Sequence, residues 1–105
     1  MCQDSSDSKN AINTTVRERI KILSSKTFTE LADLPSQSSE EIVLQGIKLT
    51  ISVWHDVLAS QDHRIVVQVY RPGILGIGYM QADGFVVNTH NEKRALTMEE
   101  WAPFS

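Results

Sequence analysis

Three histidines, two of them beside an aspartate, are the residues of this 105-residue chain best suited to moving a proton near neutral pH. They are His55 with Asp56, His63 with Asp62, and His90. Neighbours in a strand point to opposite faces, so His55 and Asp56 cannot share one proton or one metal if the strand is regular. His55 falls in an apolar stripe and reads as a satisfied core or rim histidine, while His63 reads as a solvated turn residue. His90 is the better general base, because the strand register described below gives it the same face as Tyr79 and Asp56. Nothing completes a triad: serines concentrate at 5–8 and 36–39, in segments that read as flexible, and the one cysteine is Cys2. No Cys-x-x-Cys or His-Glu-x-x-His spacing occurs, so no metal, no cofactor and no catalytic residue is assigned. Gly76-Ile77-Gly78 sits inside a strand pattern with no helix start behind it, which is the wrong setting for a phosphate loop.

The elements that must position these side chains lie in residues 47–90. Ile47, Leu49, Ile51 and Val53 alternate with Lys48, Thr50, Ser52 and Trp54, the period of a half-buried strand. A second strand covers residues 65–70 and stops at Arg71-Pro72-Gly73-Ile74, a turn sequence. Residues 75–82 and 85–91 read as two further strands folded back through Asp83-Gly84, the dipeptide favoured in tight type I′ turns. That turn sets a register with Ala82 facing Phe85, Met80 facing Val87 and Gly78 facing Thr89, and with Ile65, Val67 and Val69 beside Met80, Gly78 and Gly76. Burial of this face, with Ile47, Leu49, Ile51, Val53 and Val57 added, would hold the register, since a slip of one residue turns every side chain over.

A helix supplies the cover. Ile12, Val16, Ile20 and Leu23 recur at helical spacing, with the start left open between caps at Asn13 and Thr15. Phe28, Leu31 and Leu34 suggest a shorter helical turn that ends before Pro35, and Pro35 to Ser39 reads as a polar linker. Thr97 and Glu100 have capping-box spacing around one C-terminal turn that ends in Trp101 and Phe104. The expected fold is α+β: an N-terminal helix packed on a four-stranded antiparallel β-meander with a short C-terminal helical turn. Residues 1–10 read as a disordered polar tail and 11–105 as one domain.

The second face of this sheet carries the functional question. It gathers Trp54, Gln68, Tyr70, Ile77, Tyr79 and His90, together with Val66, Leu75 and Val86, and is too apolar for a wet antiparallel face. Such a patch is covered by the chain's own end through Trp101 and Phe104, binds a protein partner or a second copy, or holds a small ligand. The favoured reading is a non-enzymatic interaction module binding a protein partner or itself as a homodimer. A small-ligand binder or weak enzyme using His90, Tyr79 and Asp56 is the alternative.

Net charge is −3 and the ten Lys and Arg are scattered, so no nucleic acid is expected as a partner. No membrane span and no secretory h-region are seen, and one cysteine excludes an intramolecular disulfide, which suits a cytoplasmic location. The stretch Cys2-Gln3-Asp4-Ser5-Ser6-Asp7-Ser8 resembles the start of a mature bacterial lipoprotein, which implies a lipid anchor on Cys2 if a leader has been removed. Met1 as a native start is the plainer expectation.

Overall fold

The computed structural model describes residues 3–44, 46–71 and 79–104, with side chains from Ala11 onward and without that of Tyr79. Helix α1 (Gln3–Ser24) and the five-residue α2 (Phe28–Ala32) precede five strands: β1 (Gln37–Leu44), β2 (Ile47–Val57), β3 (His63–Arg71), β4 (Tyr79–Val87) and β5 (Lys93–Arg94). A single turn, α3 (Met98–Trp101), runs into a 3-10 turn at Ala102–Phe104. The sheet is an antiparallel meander in chain order, β1-β2-β3-β4-β5, with β1 at one rim. The α+β layout of helix, antiparallel sheet and C-terminal turn is the expected one.

The covering helix lies across β3 and β4. Its stripe is the one the spacing gives, with Ile12, Val16 and Leu23 buried and Ile20 partly so. It starts much earlier than the candidate caps: backbone from Gln3 is helical, including residues 3–10 where composition suggests a tail. Thr15 is therefore mid-helix, and its hydroxyl donates back to the Ala11 carbonyl at 2.7 Å. At α2, Thr27 and Glu30 form a reciprocal capping box, which orders a helix too short to persist alone.

Two expectations about the sheet are corrected. The polar stretch after Ser36 is a strand, because Gln37–Leu44 pairs with Ile47–Trp54 across a tight turn whose Gly46 takes φ +78. Asp83-Gly84 is not a turn. It continues β4, with Asp83 opposite Val67 and Gly84 opposite Val66. Without a turn the alternation carries straight through, so Met80 and Ala82 lie on the face opposite to Phe85 and Val87 rather than beside them. The pairing of Ile65 is with Phe85, and Tyr70 is opposite Met80. The expected turn at Pro72-Gly73 and the glycines Gly76 and Gly78 lie outside the described residues.

Two apolar clusters result. On the helix side, Leu49, Ile51, Ile65, Val67, Val69, Phe85 and Val87 pack with Ile12, Val16, Leu23 and Leu31. On the other side, Val66, Val86 and Leu96 pack with Trp54, Leu58, Trp101 and Phe104. Val57, expected in the core, is exposed at the end of β2. No described helix is long and apolar enough to cross a membrane.

Candidate functional site

The second sheet face is built by β2, β3 and β4 and is divided in two by the chain's own C-terminus. At one end Trp54, Val66 and Val86 are covered by Leu96, Trp101 and Phe104, with the Phe104 ring edge-on to Trp54 at 6.2 Å and to Trp101 at 6.4 Å. Arg64 fixes this cover. Its guanidinium binds both carboxylate oxygens of Asp56, donates from Nη1 to the Glu100 carbonyl at 2.7 Å, and lies 5.0 Å from the Phe104 ring centre. The charge thus joins neighbouring strands to the tail and stacks under an aromatic ring.

Glu100 completes the fastening from the other side. Its carboxylate takes two hydrogen bonds from Arg94 at 2.7 and 2.8 Å and one from the Thr97 N–H at 2.9 Å. The Arg94 bonds first and the Thr97 amide second pull its pKa down to about 2. Arg94→Ala should move the Glu100 titration back up toward the usual carboxylate range, followed by the carboxyl carbon shift in an NMR pH series. A midpoint that stays near about 2 would mean that the Thr97 cap holds the carboxylate alone.

The other end of the face is open. Thr50, Tyr70 and Met80 form one cross-strand row, with Ser52, Gln68 and Ala82 in the next. Tyr70 is 41% exposed and Met80 48%. Between the two halves, Trp54 Nε1 donates to Gln68 Oε1 at 2.9 Å, so these two candidate residues meet diagonally rather than in the one row expected. Around the open row stand polar pairs, Lys48 with Glu41 at 3.3 Å and Ser39 with Ser52 at 3.1 Å.

No protein-family model, curated protein or solved structure matches the chain. Chemistry alone must therefore sort the remaining candidates. His90 is not on the sheet: β4 ends at Val87, and His90 sits exposed on the Asn88–Glu92 turn with its N–H donating to Asn88 Oδ1. Tyr79 pairs with Arg71 at the opposite end of β4, and eight strand steps separate it from Val87 by roughly 26 Å. Asp56 is held by Arg64. His90, Tyr79 and Asp56 are therefore not brought together, and Ile77 lies outside the described residues.

A different titratable pair is assembled on the helix side. His55 Nε2 and His63 Nδ1 are 2.6 Å apart, the rings stack at 4.9 Å, and His55 Nδ1 contacts the Leu34 carbonyl at 2.9 Å. Phe28 of α2 meets the His63 ring edge-on at 4.9 Å. His63 is the first residue of β3, half-buried rather than solvated in a turn, and His55 is buried opposite Ile65. Burial, then the neighbouring His55, holds the His63 pKa below its ordinary value, against an upward pull from Asp62. Among the described residues no third His, Cys, Asp or Glu joins them in a metal-sized cluster. The sequence signal for this pair was the strand period itself: with β2 reaching Val57, residues 55 and 63 flank the hairpin on one face.

Proposed function

We propose that this chain is a non-enzymatic interaction module that binds a protein surface, a second copy of itself being the simplest partner, through the open row of Tyr70 and Met80. The observation that carries the reading is the placement of these two side chains side by side, exposed, on a sheet face whose other half already recruits an aromatic tail. Tyrosine offers apolar area with one polar handle, and methionine adapts its shape to a partner, so both suit the centre of an interface. The serine and Lys48–Glu41 pairs supply the polar rim that a non-obligate interface needs.

Sedimentation velocity over a wide concentration range tests the self-associating form. Replacing Tyr70 with Ala and Met80 with Ser is expected to weaken association by about 1–3 kcal/mol while leaving the thermal transition in place. Association that is unchanged in the double variant would show that a different surface is used. A small-ligand site is the second reading, supported by a groove of about 410 Å³ bordered by Gln37, Trp54, Asp56, Arg64 and Phe104. Its Trp54 N–H is already given to Gln68, and Arg64 is held by Asp56 and the Glu100 carbonyl, which leaves these groups little capacity to orient a ligand.

A further inference from the structure

The donor rules at the histidine corner fix where the protons are. A carbonyl oxygen only accepts, so the His55 Nδ1 atom facing Leu34 must carry hydrogen. In the neutral ring Nε2 is then bare, and the close His55–His63 contact requires His63 Nδ1 to donate to it. One further proton fits on His63 Nε2 with every hydrogen bond kept. A second has no place: it would set N–H against N–H at a 2.6 Å contact, with two positive rings stacked at 4.9 Å.

The two rings sit where three parts of the chain meet. His55 holds the Leu34 carbonyl after α2 by its side chain and the Ser36 carbonyl before β1 by its own N–H at 3.0 Å. His63 starts β3 and carries Phe28 of α2 on its ring, and the Phe28 N–H donates to Asn91 at 3.0 Å. We propose that His55 and His63 form a one-proton latch that ties the α2 corner to the sheet and releases it when the second proton arrives.

Other charges around the pair do not supply the missing compensation. Among the described residues, Asp62 is the carboxylate that draws a proton toward His63. Lys93 shares the row His63, Val87, Lys93 and binds Asn91, adding positive charge. Glu30 of α2 folds back onto Thr27, and Asp33 forms the C-cap of that helix. Asp56 and Arg64, next in sequence to the pair, project from the opposite face and hold each other. Burial first and the neighbouring His55 second hold the His63 pKa below its ordinary value, so the folded pair takes up protons only as pH falls below about 6.5, and the corner lets go at the second of them.

Ring nitrogen shifts in an NMR titration from pH 8 to 4.5, with amide exchange followed in parallel, test the latch. The expected result is a neutral His55 protonated on Nδ1, two ring titrations more than about one pH unit apart, and amide exchange at His55 and Phe28 that speeds up at least about tenfold with the second step only, leaving Val67 unaffected. His63→Asn keeps a donor for His55 and can turn its amide to accept from a protonated one, so exchange at Phe28 should lose the acid step in that variant. A neutral His55 protonated on Nε2, two coincident titrations, or an acid step that survives in His63→Asn would each overturn the proposal. The first two readouts use the unsubstituted chain and do not depend on the variant folding.

Discussion

Gly84→Val is expected to destabilise the domain by about 3 kcal/mol, read as a lower denaturation midpoint at unchanged slope. A Cβ at this position would sit 2.5 Å from the Ile65 carbonyl oxygen and 3.2 Å from Val66 Cα. Both are backbone atoms of the adjacent central strand, so neither can swing away as a side-chain tip could. Gly84 is opposite Val66, a fully buried residue beneath the C-terminal cover, and a branched side chain there would have to lift β4 from β3 or push the cover off. The Gly84 N–H is already satisfied by Asp83 Oδ1 at 2.8 Å, so the penalty is steric rather than a lost hydrogen bond. A variant within about 0.5 kcal/mol of the parent would mean that the strand does not pass this close.

Leu31→Ala is expected to cost about 3 kcal/mol as well, and by a different route. The helix α2 has five residues, and Leu31 is its one buried side chain, with no exposed surface left. Truncation leaves a void among Leu34, Phe28 and the helix-side core that the capped backbone is poorly placed to collapse into. Since α2 also carries the Phe28 contact to His63, the loss should appear locally first, as faster amide exchange in residues 27–34. A loss below about 1 kcal/mol with unchanged local exchange would show that the capping box, not Leu31, seats this helix.

Much of this architecture is legible in residue periods. The stripe from Ile12 to Leu23, the alternation from Ile47 to Trp54 and the Thr97–Glu100 box are all found where their spacing puts them. Asp83-Gly84 misleads because two physical needs select the same residue. A tight turn needs glycine for a positive φ, and a close strand crossing needs it for the absent Cβ; here the second applies. The strand β1 is hidden because Gln37 to Glu41 are all exposed, so no apolar alternation marks them until Ile42. The site was half readable. Trp54, Gln68 and Tyr70 share their face by strand parity alone, whereas Arg64 as the fastening of the tail depends on a contact with residue 100 that no local pattern announces.

The division of labour between the two clusters bears on how the molecule comes into being on the ribosome. Every described buried member of the helix-side core lies between Ile12 and Val87, while the cover over Val66 and Val86 comes from Leu96 onward. A chain emerging from its N-terminus can therefore close its main core while Trp54, Val66 and Val86 are still wet. The same holds after clipping by a protease upstream of Leu96: the product keeps the larger core and gains a strip of naked apolar sheet continuous with Tyr70 and Met80. Residues 96–104 thus keep Trp54, Val66 and Val86 from solvent, and their removal would enlarge the apolar area that the face exposes.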